Sequence, residues 1–127
     1  MNRQEQLEQR LSAFDDILFA LLFGSSAKGT ARADSDLDIG VYWVDRLTPK
    51  ARHDARLRLL AELEDLSPVD IVILNDAPPL LAQRALQGRR ILVKDPTAFV
   101  RFFVSIQAKG EMKDSGARFT PPPDIVD

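Results

Sequence analysis

Apolar residues fall into four short runs that predict β-strands. Ile17–Phe23 is apolar throughout, which is typical of a strand buried on both faces. In the run 37–44 every odd position up to Trp43 is apolar, so one side of that strand is predicted to face a core. Two further strands are predicted at 69–74 and 90–94.

Helical spacing of apolar residues predicts helices between these strands. Leu7, Leu11 and Phe14 form one stripe of an N-terminal helix. Thr48 and Pro49 have the residue types of an N-cap and a first helical turn, and they open a helix that runs to about residue 66. Its predicted buried stripe is Ala51, Ala55, Leu59, Leu63 and Leu66. Its opposite face, which we expect to be solvated together with His53, carries Arg52, Arg56, Glu62 and Asp65.

Two more helices are predicted in the second half of the chain. The segment 79–87 ends at Gly88, and Asp95-Pro96 opens a last helix with an apolar arc wider than one sheet face usually covers. That arc consists of Phe99, Val100, Phe102, Phe103, Val104 and Ile106. Two interpretations stay open: the helix packs deep in its own domain, or it exposes a surface for a partner or a second copy of the chain.

Carboxylates and small residues concentrate around the second strand. Asp36 and Asp38 are two residues apart, so on a strand both side chains point to the same side. The helix between this strand and the next predicts a parallel crossover, which brings Asp70 beside Asp38. Gly40 is expected to leave that side of the strand open for a ligand. The sequence therefore predicts three carboxylates at one sheet edge.

The end of the first strand supplies a second element of chemistry. If this strand runs antiparallel to the next, Gly24 and Ser25 lie beside Asp36 and Asp38, and the intervening loop closes over the site. Gly24 lets backbone N–H groups approach an anion, and the Ser25 hydroxyl adds a donor to phosphate oxygens. A triphosphate could then span the turn and the carboxylates.

The carboxylate set favours Mg²⁺ as the cation. Magnesium prefers carboxylate oxygens, water and substrate phosphates, whereas the single histidine and the lack of cysteine exclude a typical zinc site. Two ions about 3.5–4 Å apart could stabilise the attacking and leaving oxygens of a displacement at phosphorus. We assign Asp36 and Asp38 as bridging ligands and Asp70 as a ligand of the ion that activates the acceptor hydroxyl.

Length and charge limit the remaining possibilities. The 127 residues suit one domain, predicted to span 1–109 and to be followed by a flexible tail, 110–127, rich in Gly, Ser and Pro. A net charge of −2 gives no general attraction to nucleic-acid backbone, so direct nucleic-acid binding is not expected. The early apolar run is too short for a membrane span. We expect a soluble, cytoplasmic chain.

The spacing Gly24-Ser25, ten residues, then Asp36-Leu37-Asp38 and later Asp70 resembles the DNA polymerase β nucleotidyltransferase superfamily. Within it, residues 11–94 resemble the minimal nucleotidyltransferase (MNT) family. The resemblance implies an α/β (α+β) fold, a small mixed sheet of about four strands flanked by helices. It also implies Mg²⁺, a nucleoside triphosphate that is commonly ATP, and a HEPN-domain ribonuclease toxin as partner. Such antitoxins attach AMP to a tyrosine of the toxin.

The chain departs from the family pattern in the loop. Ser26, Lys28 and Ala33 stand where arginine, arginine and proline are frequent. Lys28 and Arg32 remain as cations near the polyphosphate, and their other interpretation is that of solvent-facing loop charges.

Other interpretations of the Asp-rich stretch fit less well. A calcium-binding EF-hand loop needs Gly at its sixth position and Glu at its twelfth, where this chain has Ile39 and Asp45. A glycosyltransferase Asp-x-Asp generally belongs to a longer fold. An ordinary polar turn does not explain why Asp38 lies inside an apolar strand. Tyr42 has the same parity as Asp38, so it either contacts a base or, as we favour, is a structural aromatic residue.

The carboxylates predict a Mg²⁺-dependent nucleotidyltransferase, and the resemblance implies an adenylyltransferase antitoxin that transfers AMP from ATP to a hydroxyl, a tyrosine of a cognate HEPN toxin. Two alternatives stay open. The chain could neutralise its toxin by binding alone, or it could transfer a nucleotide to a small molecule such as an antibiotic.

Overall fold

The structure is a computed structural model, and it describes residues 2–24, 37–66 and 68–111. Four helices and four strands are present in this part of the chain. In order they are α1 (Arg3–Ser12), β1 (Ile17–Phe23), β2 (Leu37–Trp43), α2 (Pro49–Leu63), β3 (Val69–Ile73), α3 (Pro79–Leu86), β4 (Arg89–Val93) and α4 (Pro96–Glu111), with a short 3-10 turn, Leu74–Asp76, after β3.

The strands form one mixed sheet in the order β3-β2-β1-β4. The β2 and β3 strands are parallel, joined by α2, and β1 is antiparallel to both of its neighbours. The predicted fold class, the parallel crossover and the antiparallel first pair are therefore confirmed.

Each face of the sheet buries its own hydrophobic core. One core contains side chains of α1 and α2 packed on the odd positions of β2, among them Leu11, Leu59 and Trp43. The other contains α3 and α4 against Phe19 and Leu21 of β1. The parity of β2 thus decides which helices cover which side, and Asp38 lies on the side of α3 and α4.

Local capping explains where α2 and α4 begin. The Thr48 Oγ1 accepts a hydrogen bond from the Ala51 N–H at 3.1 Å, and Pro49 is the first helical residue, as predicted. The Asp95 side chain accepts from the Ala98 N–H at 3.1 Å. Helix α2 ends at Leu63 and continues as a turn in which the Leu66 N–H donates to the Leu63 carbonyl, so it is shorter than predicted. Strand β3 ends one residue before its predicted limit.

The predicted solvated face of α2 is correct for Glu62 and Asp65, which are exposed, and wrong for Arg52 and Arg56, which fold against neighbouring segments. Arg52 makes two hydrogen bonds to the Asp76 carboxylate, at 3.0 and 2.8 Å, and its side chain is only 11% exposed. Asp65 pairs with Arg10 of α1, so the face ties neighbouring elements together. Helical periodicity identifies the polar face but not the loops that fold against it. His53 is exposed, as predicted.

Helix α4 divides its apolar arc between the core and the surface. The side chains that pack against the sheet and α3 are Phe99, Phe102, Phe103 and Ile106. Val100 and Val104, one turn apart, remain 37% and 46% exposed. The helix therefore packs mainly into its own domain. Residues 112–127 of the predicted tail lie outside the described residues. No helix in the described ranges is long and apolar enough to cross a bilayer.

Candidate functional site

The site lies where β1 ends and where β2 and β3 begin. Asp38 is the register partner of Phe23 on β1 and of Asp70 on β3. Register partners on parallel strands point to the same side of the sheet, and neighbouring strands lie about 4.8 Å apart. The predicted convergence of Asp38 and Asp70 is confirmed by this register.

Gly24 directly follows β1 and contacts the Asp38 carboxylate. Its φ of +76° is in the left-handed region that favours glycine. A Cβ at this position would lie 3.3 Å from the Asp38 Cγ and nearer still to a carboxylate oxygen. A side chain at position 24 would therefore need the Asp38 carboxylate to move. The backbone is thus brought close to a carboxylate, and its contact with an anion stays a prediction.

The expectation that Gly40 leaves the sheet surface open is wrong. The Leu74 side chain fills that space, since a Cβ on Gly40 would lie 2.9 Å from the Leu74 Cδ2. Leu74 belongs to the 3-10 turn after β3 and is 2% exposed. The turn is held by Asn75, whose side chain bonds both the N–H and the carbonyl of Trp43 at 2.9 Å. Leu74 thus covers this side of β2 directly beyond Asp38.

The positively charged side chain of Arg56, on α2, lies beside Asp70 at the margin of the site. The Asp70 side chain is 67% exposed, and its Oδ1 lies 3.6 Å from a terminal nitrogen of Arg56. The Arg56 Nε–H also donates to the Ile71 carbonyl at 2.6 Å. Helical spacing places Arg56 on the polar face of α2 and does not reveal this contact.

Four predicted site residues lie outside the described residues: Ser25, Lys28, Arg32 and Asp36. Within residues 2–24, 37–66 and 68–111, no three His, Asp or Glu side chains group closely enough to hold a metal ion. The predicted triad needs Asp36 as its third member, so the metal site stays a prediction. Carboxylates on register partners of neighbouring strands, as at Asp38 and Asp70, offer the oxygen ligands that Mg²⁺ prefers.

Tyr42 is a structural residue at the far end of β2. Its ring stacks on Phe19 with centroids 5.0 Å apart and also contacts Phe102. Its hydroxyl donates to the Asp45 carboxylate at 3.2 Å. Burial, reinforced by Asp45, raises the pKa of this phenol. The structural interpretation of Tyr42 is supported, and its hydroxyl is directed towards Asp45.

Comparison with known proteins agrees with this geometry. The family model described as "Polymerase beta, Nucleotidyltransferase" matches residues 5–97. A curated relative, the protein adenylyltransferase MntA of Shewanella oneidensis, is 38% identical over 71 residues, which are 55% of this chain. The chain spans about half the length of that relative, since the match covers 50% of it.

Solved structures show the same fold. A toxin–antitoxin complex with AMP-PNP contains a chain with a TM-score of 0.66 and 24% identity, and the match covers 91% of each chain. A structure described as tri-AMPylated Shewanella oneidensis HEPN toxin in complex with MNT antitoxin has a TM-score of 0.63 and 22% identity, covering 88% of this chain and 90% of the other. The predicted mixed sheet flanked by helices is confirmed by both.

Proposed function

This chain belongs to the polymerase beta nucleotidyltransferase family, and we propose on that premise that it transfers AMP from ATP to a hydroxyl group of a protein. The observation that carries the proposal is the register of Asp38 with Asp70, together with the close approach of the Gly24 backbone to the Asp38 carboxylate. These residues put two carboxylates and a close backbone approach at one sheet edge. That is the arrangement a phosphoryl donor and its counter-ions require.

Each residue of the site has a distinct part in this proposal. Asp36, Asp38 and Asp70 hold one or two Mg²⁺ ions, with Asp36 assigned from its spacing in the sequence alone. Gly24 and Ser25 bind the triphosphate through backbone N–H groups and a hydroxyl. Lys28 and Arg32 supply positive charge near the phosphates.

The reaction is a displacement at the α-phosphorus of ATP. The acceptor oxygen forms a bond to that phosphorus, the bond to the bridging oxygen breaks, pyrophosphate leaves, and the hydroxyl proton is lost to solvent or a nearby carboxylate. When bound, Mg²⁺ supplies positive charge to the phosphate oxygens and lowers the pKa of the acceptor hydroxyl. Asp70 lies on an edge strand and is largely exposed, so the acceptor is expected to approach from its side.

The relatives indicate the acceptor. The curated relative is named a protein adenylyltransferase, and the toxin in one similar structure is tri-AMPylated and bound to an MNT antitoxin. We extend this to the present chain: a cognate HEPN toxin is its partner, a toxin tyrosine is its acceptor, and the modification inactivates the toxin in the cytoplasm. ATP is the donor, in keeping with the AMP-PNP complex.

Labelled ATP tests the proposal directly. The purified chain is incubated with ATP labelled at the α-phosphate, Mg²⁺ and the product of the adjacent gene. Label is expected on the partner protein, and Asp38→Asn should abolish labelling because it removes a charged ligand. Asp54→Asn, an exposed carboxylate on α2, is the matched control and should label normally. Absence of label on the partner with Mg²⁺ present contradicts the substrate assignment.

A binding-only antitoxin is the second candidate, and exposed apolar side chains favour it. Val100 and Val104 on α4 and Leu80 on α3, which is 71% exposed, offer apolar surface to a partner. The same Asp38→Asn protein separates the two candidates. Neutralisation of the toxin by this variant at the wild-type level would support binding alone.

A further inference from the structure

Arg56 connects two parts of the strand that carries Asp70. Its Nε–H donates to the Ile71 carbonyl at 2.6 Å, and a terminal nitrogen lies 3.6 Å from the Asp70 Oδ1. The side chain is 27% exposed. One guanidinium therefore contacts the backbone of β3 and the carboxylate of the preceding residue.

The edge position of β3 makes this contact possible. The Leu37 N–H of β2 donates to the Pro68 carbonyl at 2.8 Å, so this carbonyl points towards β2. Carbonyls alternate in direction along a strand, so the Ile71 carbonyl points away from β2, where no further strand follows among the described residues. Arg56 satisfies an edge acceptor that solvent would otherwise occupy. Its guanidinium is thereby fixed relative to Asp70.

A second arginine on the same helix shows what a closed ion pair looks like in this fold. Arg52 makes two hydrogen bonds to Asp76, donates to the Leu47 carbonyl at 2.6 Å, and is 11% exposed. Arg56 directs its short hydrogen bond to the backbone instead, and its distance to Asp70 exceeds hydrogen-bond length. Asp70 thus keeps its oxygens available to another cation while one of them faces a fixed positive charge.

We propose that Arg56 is a positioning residue of the nucleotidyl-transfer site, a fixed positive charge that restrains the outer side of Asp70 and opposes the binding of a divalent cation there. The inference rests on the proposed function, because it takes Asp70 as a ligand. Removing the charge has two opposite consequences. Cation affinity rises because repulsion is lost, and the transfer rate falls because the carboxylate loses its restraint. A residue that only stabilised the fold would lower both quantities.

The test measures Mn²⁺ binding and AMP transfer on the same variants. The full chain is titrated with Mn²⁺ at low ionic strength in the presence of a non-hydrolysable ATP analogue. Electron paramagnetic resonance measures the free Mn²⁺ at each step. Arg56→Gln is expected to bind Mn²⁺ about three- to tenfold more tightly. Its transfer rate to the partner is expected to fall about tenfold, the usual size of an effect on the residues that orient metal ligands.

Two further variants isolate the cause. Arg56→Lys keeps the charge but cannot donate to Ile71 and reach Asp70 with the same planar group, so its Mn²⁺ affinity stays within about twofold of wild type while its transfer rate is reduced. Arg58→Gln changes the net charge equally at an exposed position of α2 and should leave both quantities unchanged.

The outcomes separate this inference from the proposed function. The inference is overturned if Arg56→Gln binds Mn²⁺ as wild type does, or more weakly, or if it keeps the wild-type transfer rate. Mn²⁺ binding that is unaffected by Asp38→Asn places the cation elsewhere and overturns the proposed site as well. If wild-type protein and Arg56→Gln transfer AMP at the same rate, the inference about Arg56 is overturned and the proposed function stands.

Discussion

The contact between Gly24 and Asp38 provides the sharpest test of how the fold builds the site. Alanine at position 24 would have to adopt a φ of +76°, and its methyl group would lie 3.3 Å from the Asp38 Cγ and closer to a carboxylate oxygen. Gly24→Ala therefore imposes both backbone strain and a collision with the residue proposed to bind metal. The consequence is loss of stability, displacement of Asp38, or both.

The size of the effect follows from these two contributions. Left-handed backbone costs an L-residue about 1–2 kcal/mol, and an added methylene in a well-packed position costs about 1–3 kcal/mol. The free energy of unfolding is thus expected to fall by about 2–5 kcal/mol, a large part of the roughly 5–15 kcal/mol typical of a domain. Any part of the collision relieved by rotation of Asp38 appears as lost activity instead.

Urea unfolding at 25 °C and the AMP-transfer rate measure the two quantities. Gly24→Asn is the informative companion, because asparagine tolerates left-handed backbone better than alanine does and still adds a Cβ. If collision dominates, both variants lose transfer; if strain dominates, Gly24→Asn recovers most of the stability. The reasoning is refuted if Gly24→Ala unfolds within about 0.5 kcal/mol of wild type and transfers AMP at the wild-type rate.

Three further predictions concern the surroundings of the site. Gly40→Ala should lower the free energy of unfolding by about 1–3 kcal/mol, because the added methyl group overpacks against Leu74. In the double variant with Leu74→Ala, the loss should be smaller than the sum of the two single losses. Additive losses would contradict the contact between positions 40 and 74. Asn75→Ala removes both partners of the Trp43 backbone and should cost about 1–3 kcal/mol in urea unfolding, whereas an unchanged midpoint would exclude this role. The pKa of Tyr42 is raised above its ordinary 10.0, chiefly by burial. The contribution of the neutral phenol to folding stability is therefore complete below pH 10 and is lost as the pH rises through the folded-state pKa. Wild type should therefore lose more stability than Tyr42→Phe between pH 9 and pH 11, and parallel losses would contradict the assignment.

Much of the site could be predicted because it depends on local rules of strand geometry. The parity of Asp38 within an apolar strand fixes the side on which its carboxylate lies. The helix that begins at Pro49 implies a parallel crossover, and this alone brings Asp70 beside Asp38. Neither conclusion needs knowledge of how distant segments pack.

The features that could not be predicted depend on segments that meet only in the folded chain. Leu74 covers Gly40 because the 3-10 turn after β3 folds back over the sheet, and periodicity contains no information on that turn. Arg56 reaches the edge of β3 because α2 packs on the face of the sheet opposite to α3 and α4. A helical polar face looks the same in sequence whether its charges meet solvent or a strand edge.

The location of a bound cation tests the central claim most directly. A crystal of the chain grown with Mn²⁺ and a non-hydrolysable ATP analogue, measured for the anomalous scattering of manganese, locates the ion without reference to activity. The account predicts manganese bound between the carboxylates of Asp38 and Asp70, with Asp36 as a further ligand and the analogue's phosphates beside Gly24. Manganese bound at another place, or Asp70 turned away from Asp38 in the presence of metal and nucleotide, would contradict it.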